Sequence, residues 1–212
     1  IGALLEQRPD LIVECAGHDA VREHAERILA VGIDLIVISI GALADEALYE
    51  RVRAAARQGG SSLILPAGAV GGIDALSALR LAGLTSVCYR SRKPPRAWAG
   101  TPAEKNANLD ALEQATCVYR GNAREAALLF PKNSNVAATV ALAGIGFEKT
   151  QVELIADPTL TDNRHEIEAH GPAGSFHIRL TGQPLASSPR TSALAAYSVA
   201  RSILVRDSAI VI

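Results

Sequence analysis

Short apolar runs alternate with helical periodicity along the first third of the chain. The runs at residues 11–16, 35–38 and 63–65 predict buried strands. A helix that opens at residues 17–19, with Asp19 as its N-cap, and a second over residues 45–58 each carry an apolar stripe. Strands that are apolar on both faces and alternate with such helices indicate a parallel sheet covered on both sides.

Beyond Gly83 the pattern changes to alternation with a period of two, which is typical of strands with one buried face. The predicted strands cover residues 85–91, 116–120, 151–156, 164–169 and 175–181. The last two are joined by a turn-rich segment and predict an antiparallel hairpin. Helices are predicted near residues 123–130, 135–146 and 191–204, with a final strand at residues 209–212.

These patterns predict a fold of the α/β plus α+β class with three parts. Residues 1–83 form the C-terminal half of a Rossmann-type dinucleotide-binding domain. Residues 84–185 form a second domain, built on an antiparallel sheet with helices, that serves catalysis and dimerisation. Residues 186–212 supply a helix and a strand that return to the first domain.

Composition narrows the class of partners. The formal net charge is -1, without a run of like charge, so a nucleic-acid face or a polybasic membrane anchor is not expected. No apolar stretch approaches the roughly 20 residues that span a bilayer. The three cysteines are widely spaced and odd in number, which favours reduced thiols and a cytoplasmic location. No metal site is predicted.

The start of the chain is unusual for a dinucleotide-binding fold. The sequence has no methionine and no G-x-G-x-x-G motif. We interpret the chain as the remainder of a longer polypeptide. The first strand, its phosphate-binding turn and the acidic ribose-binding residue would precede Ile1, in a segment on the order of 50–60 residues.

Candidate cofactor contacts follow the predicted parallel strands, because ligands of open α/β sheets bind beyond the carboxyl ends of the strands. Ala16 and Gly17 stand at the end of the first strand, and Ala69 lies in the glycine-rich stretch 66–72 after the third. Small residues there allow a cofactor to approach the backbone closely. The alternative is that these glycines only satisfy turns.

A second candidate site lies where Lys132 and Asn135 precede an apolar helix. The N-terminus of a helix offers free N–H groups to a carboxylate or a phosphate, and Lys132 adds a full positive charge. The alternative is a routine cap at Asn133 or Ser134 with a solvated Lys132.

His165 is the candidate acid–base residue. It is in phase with Ile167 and Ala169 on a predicted strand, so its side chain should point to the buried side of the sheet. An unperturbed imidazole pKa of about 6.5 suits proton transfer at neutral pH. A satisfied core histidine is the alternative. His18 lies beside a strand end and is a weaker candidate.

Several blocks of the sequence, in their order and spacing, resemble the L-aspartate dehydrogenase family along essentially the whole chain. They are residues 13–18 (VECAGH), 65–76 (LPAGAVGGIDAL), 90–95 (RSRKPP), 131–139 (PKNSNVAAT), 163–168 (NRHEIE) and 191–194 (TSAL). The resemblance implies that His165 is catalytic and that Ala69 and Asn135 contact NAD or NADP. It also implies oxidative deamination of L-aspartate to iminoaspartate, then oxaloacetate and ammonia. In some organisms the iminoaspartate feeds pyridine nucleotide biosynthesis.

Within that mechanism we expect the nicotinamide to lie near Gly17 and Ala69. Lys132 would hold one substrate carboxylate, with Arg90 or Arg92 as alternatives. One face of the antiparallel sheet would be covered by a second copy of the chain, giving a homodimer. Two rivals remain open: a dehydrogenase of similar plan, such as homoserine dehydrogenase or dihydrodipicolinate reductase, and a non-catalytic binding module.

Overall fold

The first of two main sheets is parallel and has three strands in the order β1-β2-β3. The computed structural model describes residues 1–131 and 133–211, without the side chains of residues 188–190. The strands are β1 (Leu11–Glu14), β2 (Asp34–Val37) and β3 (Leu63–Ile64). Each lies where an apolar run predicts it, and β1 and β3 are shorter than expected.

Helices connect and cover this sheet. They are α1 (Gly2–Glu6), α2 (His18–Ala30), α3 (Glu46–Gly59) and α4 (Ile73–Leu81). The predicted stripe of α2 is buried, with Val21, Ala25, Ile28 and Leu29 all inside. The cap prediction is wrong, because Gly17 is the N-cap of α2 and Asp19 lies in its first turn, where it pairs with Arg22.

The second sheet has five strands in the order β5-β6-β4-β7-β8. They are β4 (Ser86–Lys93), β5 (Thr116–Asn122), β6 (Gln151–Ala156), β7 (Asn163–Gly171) and β8 (Gly174–Gly182). The predicted hairpin is present as β7 and β8, which pair antiparallel from Asn163 with Gly182 to Gly171 with Gly174.

The predicted fold class is confirmed, but the second sheet is mixed rather than wholly antiparallel. Strand β4 pairs with β6 in parallel, from Cys88 with Gln151 to Lys93 with Ala156. Parallel neighbours need a long crossover. The segment between them supplies it with short 3-10 helices, β5, α5 (Ala123–Leu129) and α6 (Asn135–Ala143).

The two faces of this sheet differ in polarity. The inner face carries Tyr89, Leu154 and Ile167 in the hydrophobic core. The outer face carries charged residues joined by ion pairs, for example Arg90 with Glu153 and Glu168. The alternation along β4 and β7 therefore assigns each side chain to either the core or the charged surface.

The C-terminal segment reaches back to the first sheet. It forms β9 (Pro184–Leu185), β10 (Ser188–Ser192) and α7 (Ala193–Leu204). The Oγ atom of Ser198 on α7 accepts a hydrogen bond of 3.1 Å from the N–H of Gly68. Arg206 donates to Asp34 at 2.6 Å.

The predicted final strand is wrong as far as the described residues reach. Residues 209–211 form no strand, and Ile212 lies outside the described residues. Ser208 closes a local turn there, because its hydroxyl bonds both the carbonyl and the N–H of Ile210.

No helix among the described residues has the length and apolar character to cross a membrane.

A buried carboxylate joins the ends of β1 and β2. Glu14 Oε1 accepts 2.7 Å hydrogen bonds from the N–H groups of Ala16 and Gly17. Both carboxylate oxygens also accept from Ser39, one from its N–H and one from its hydroxyl, at 3.1 Å each. The carboxylate therefore fixes the turn that leads into α2.

We predict that Glu14→Gln lowers the free energy of unfolding by about 1–3 kcal/mol, since an amide nitrogen cannot accept the bonds that the lost oxygen accepted. Urea unfolding measures the change. Asp19→Asn is the control, because its side chain is fully exposed and should change stability by less than about 0.5 kcal/mol. Equal stability of Glu14→Gln and the unsubstituted chain would contradict this role of Glu14.

Candidate active site

A cavity of about 280 Å³ lies between the carboxyl ends of the parallel sheet and the inner face of the second sheet. Ile38, Pro66 and Ala69 line it from the loops after β2 and β3. Lys93 and His165 line it from β4 and β7, and α6 and α7 close the remaining sides. Its volume lies just below the range of about 300–1,000 Å³ that is typical of ligand-binding pockets.

The structure brings together three of the residues singled out from the sequence. Ala69, Asn135 and His165 all line this cavity. Ala16 and Gly17 follow the neighbouring strand β1, but they are not among its lining residues. Lys132 lies outside the described residues.

The glycine-rich turn after β3 is where the two sheets touch. Gly72 has a φ of +75°, and a Cβ atom built on it would lie 2.2 Å from Cδ1 of Ile178 on β8. A side chain at this position would therefore displace the end of the Ile178 side chain. The positive φ is what favours glycine here.

Asn135 is held by two loops of the first sheet. Its Oδ1 atom accepts a 3.0 Å hydrogen bond from the N–H of Gly41 and lies 3.1 Å from Nε2 of His18. Because that oxygen only accepts, Nε2 of His18 must carry the proton. A Cβ atom on Gly41 would lie 2.9 Å from atoms of both side chains, so a larger residue here would displace them.

His165 is buried and held by one side chain. It is 5% exposed, and its Nδ1 atom lies 2.8 Å from the Oη atom of Tyr89, which is 0% exposed. The planes of the two rings are 10° from parallel, and the ring centres are 6.0 Å apart. With Nδ1 engaged by Tyr89, Nε2 is the nitrogen that remains for a ligand in the cavity.

The imidazole is uncharged at neutral pH. Burial, together with the positive charge of Lys93, lowers the pKa of His165 to about 3. Burial raises the pKa of Tyr89, so its hydroxyl keeps its proton. Lys93 and His165 are the two ionisable side chains among the described residues that line the cavity.

Tyr89 and Lys93 are absent from the residues that the sequence singles out. Both share the inward face of β4 with Val87 and Ser91, which the alternation of the strand could have revealed. The predicted strand stops at Ser91, which leaves Lys93 in a predicted loop.

Arg90 and Arg92, considered as alternative substrate ligands, face the opposite side of the sheet. Arg90 pairs there with Glu153 and Glu168, and Arg92 pairs with Asp157. Alternating positions of one strand point to opposite faces, so neither arginine can reach the cavity beside His165.

The loops at the carboxyl ends of the Rossmann-type sheet face a histidine on the second sheet. This arrangement defines the protein as a nicotinamide-dependent oxidoreductase. Sequence comparison then identifies the family within that class. The family model described as aspartate dehydrogenase, C-terminal, matches residues 74–206. The model described as homoserine dehydrogenase, NAD binding domain, matches residues 1–66.

Curated relatives extend this match. An L-aspartate dehydrogenase of Ralstonia nicotianae is 56% identical over 196 residues, which cover 92% of this chain and 73% of that protein. One of Pseudomonas aeruginosa is 54% identical, with 93% and 74% covered. The chain belongs to the L-aspartate dehydrogenase family.

Solved structures agree with the family. The aspartate dehydrogenase of Thermotoga maritima superposes with a TM-score of 0.80 at 31% identity, covering 96% of this chain and 78% of that one. A hyperthermophilic archaeal homoserine dehydrogenase gives a TM-score of 0.55 at 12% identity, with 97% and 75% covered, and thus shares the fold.

We predict that the imidazole of His165 stays neutral from pH 8 to pH 5, because its pKa lies near 3. Nitrogen chemical shifts of labelled histidines measure this, and His165→Asn identifies the signal by its loss. A midpoint between pH 6 and 7 for that signal would contradict the prediction.

The same pKa predicts how stability depends on pH. Between about pH 3 and 6.5 the unfolded chain binds a proton at this histidine that the native chain does not bind. Native stability should therefore fall as the pH decreases through that window. Urea unfolding at pH 7 and pH 5 should show a smaller loss for His165→Asn than for the unsubstituted chain.

Proposed function

We propose that this protein catalyses the NAD- or NADP-dependent oxidative deamination of L-aspartate, with His165 as its acid–base residue. The products are iminoaspartate and then, after water adds, oxaloacetate and ammonia. The observation that carries the proposal is the cavity in which the free nitrogen of a neutral imidazole faces the glycine-rich turn of a dinucleotide-binding sheet.

The residues around that turn fit a nicotinamide cofactor. Gly68 has a φ of +70°, and a Cβ atom placed on it would have nothing within 4 Å, so the backbone beside Ala69 is open to close approach. Asn135 uses its oxygen within the protein, which leaves its amide N–H groups as donors at the cavity wall. Ala69 and Asn135 would hold the cofactor, together with Ala16 and Gly17 at the next strand end. A nicotinamide held there would supply the hydride acceptor that oxidation of the substrate α-carbon needs.

His165 manages protons at Nε2. As a base it takes a proton from the water that attacks the imine carbon, and it returns a proton to the departing amine. Nε2 can act as a base only in the tautomer whose hydrogen is on Nδ1. In that tautomer, as in the doubly protonated ring, the Nδ1–H donates to the hydroxyl oxygen of Tyr89. Tyr89 is therefore a positioning residue that fixes the ring while the proton moves.

We predict that His165→Ala lowers kcat for L-aspartate oxidation by about 10²- to 10⁴-fold, the usual contribution of general acid–base catalysis. Cofactor affinity should stay within about twofold, since the cofactor contacts lie on other elements. Reduction of NAD or NADP, followed by absorbance, measures turnover, and NADH fluorescence measures binding. Near-full turnover of the variant would remove His165 from the mechanism.

We predict that Tyr89→Phe lowers kcat by about fivefold to tenfold, the effect of one lost hydrogen bond, with KM for aspartate almost unchanged. Phenylalanine keeps the packing and removes the hydroxyl. A structural role alone would leave the tautomer of His165 as it is. Nitrogen chemical shifts should instead show a changed mixture of tautomers, and an unaltered spectrum would refute the positioning role.

The rival dehydrogenases differ in the substrate that the second sheet must bind. The homoserine dehydrogenase model matches residues 1–66 and therefore concerns the cofactor half. Residues 74–206, which carry His165, match the aspartate dehydrogenase model. Turnover with aspartate, homoserine and dihydrodipicolinate distinguishes the candidates. Cofactor binding without turnover of any of the three would support a non-catalytic module.

We further propose a cytoplasmic homodimer that pairs through the outer face of the second sheet. Charges of both signs alternate on that face, with Arg179 beside Glu166 and Arg92 beside Asp157. Such a surface can complement a copy of itself across a two-fold axis.

The three cysteines are free, which suits a reducing compartment. Iminoaspartate released there would be a precursor for pyridine nucleotide biosynthesis.

A further inference from the structure

The cavity contains one ammonium group whose surroundings lack an acid. The Nζ atom of Lys93 donates a 2.8 Å hydrogen bond to Oδ1 of Asn133 and lies 5.2 Å from the centre of the Trp98 ring. It forms no ion pair with any carboxylate of the described residues. Burial lowers the pKa of Lys93 to about 8, and no neighbouring negative charge offsets this effect.

Other cations of the same strand are neutralised in the folded chain. Arg90 has two carboxylate partners and Arg92 has one, all on the outer face. Lys93 alternates with them and faces the inner side, where Asn133 offers it a neutral oxygen. A half-buried charge that is left without a counter-ion costs stability, so an anion that enters the cavity would gain a favourable partner.

Lys93 and His165 are close enough to act on one small ligand. Ser91 lies directly opposite His165 in the antiparallel register of β4 and β7. Lys93 is two residues farther along the same face, which makes it a diagonal neighbour of His165 at roughly 7–8 Å between backbones. A four-carbon diacid can therefore contact the ammonium while its α-carbon substituents lie near Nε2.

We propose that Lys93 is the substrate-binding cation, and that it holds a carboxylate of the substrate beside His165. This inference rests on the proposed function and assigns the carboxylate contact to a residue of the second sheet. Asn163, which also lines the cavity, supplies a neutral side-chain donor next to it.

The contact also affects the acid–base residue. The titratable groups that face His165 from β4 are Tyr89 and Lys93, whereas β8 presents Leu180 and α6 presents Asn135, which carry no charge. A carboxylate bound to Lys93 offsets the positive charge that opposes protonation of the imidazole. Substrate binding therefore prepares His165 to accept a proton.

Trp98 provides a direct probe, since it is the single tryptophan of the chain and lies against the Lys93 ammonium. Succinate, a four-carbon diacid without an amine, serves as the unreactive ligand. Succinamide is its uncharged analogue, and inorganic phosphate tests whether the site instead prefers a cofactor phosphate. Titration of each compound is followed by tryptophan emission.

We predict that Lys93→Gln and Lys93→Met weaken succinate binding by about 10- to 100-fold, the effect of one charge-assisted hydrogen bond. Methionine keeps the apolar stem against Trp98, so the two variants separate charge from packing. Lys93→Arg keeps the charge and should recover part of the affinity. Lys149→Gln, which removes an exposed charge outside the cavity, should bind succinate as the unsubstituted chain does.

The preference of the protein among these ligands tests the assignment of Lys93. The unsubstituted chain should prefer succinate to succinamide and to phosphate, and both uncharged Lys93 variants should lose the preference for succinate. Unchanged succinate affinity in folded Lys93→Met would overturn the assignment. So would a loss of affinity in Lys132→Gln that the Lys93 variants do not share. Tighter binding of phosphate than of succinate would overturn it as well.

Steady-state kinetics separates this inference from the proposed function. If the unsubstituted enzyme oxidises L-aspartate, Lys93→Gln should raise KM for aspartate by about 10-fold or more, and Lys149→Gln should not. An unchanged KM overturns the role of Lys93 and leaves the proposed function standing. If the unsubstituted enzyme binds succinate through Lys93 but does not oxidise aspartate, the proposed function fails and the carboxylate site remains.

Discussion

Contact between the glycine-rich turn and the apolar side of β8 brings the two sheets together beside the cavity. Cδ1 of Ile178 lies where a Cβ atom on Gly72 would stand, so this side chain packs directly against the turn. His165, on the neighbouring strand β7, lines the cavity together with Ala69 of the same turn. The chemistry of the site depends on this contact, because each sheet supplies part of the cavity wall.

The second sheet separates two electrostatic environments by the alternation of its strands. Its outer face holds arginines and glutamates that neutralise each other at the surface. Its inner face holds an imidazole kept neutral by burial and an ammonium kept without a counter-ion. The ammonium without a counter-ion is unfavourable in isolation, and a carboxylate ligand would supply the missing charge. Uncompensated groups of this kind are typical of functional sites.

The sequence predicts those parts of the fold that depend on local periodicity. The stripe that begins at Val21 and the inward direction of His165 both follow from spacing alone, and both are present. Contacts between distant segments could not be predicted in this way. The bond from Tyr89 to His165 spans 76 positions, and that from Gly41 to Asn135 spans 94. Each requires the register of strands or the packing of loops. The predicted strand ended at Ser91, two residues before the end of β4, so the inward direction of Lys93 was not predicted.

The position of β4 at the centre of its sheet has a consequence for how the chain folds. Its two neighbours, β6 and β7, begin at Gln151 and Asn163, so both edges of β4 stay open until these late segments arrive. Pairings between remote segments must overcome the entropy of closing a long loop before they gain contacts, and they slow folding. During synthesis on the ribosome, the first sheet can form while β4 still lacks its neighbouring strands. Its open edges can then pair with another chain, which favours aggregation of the half-synthesised protein.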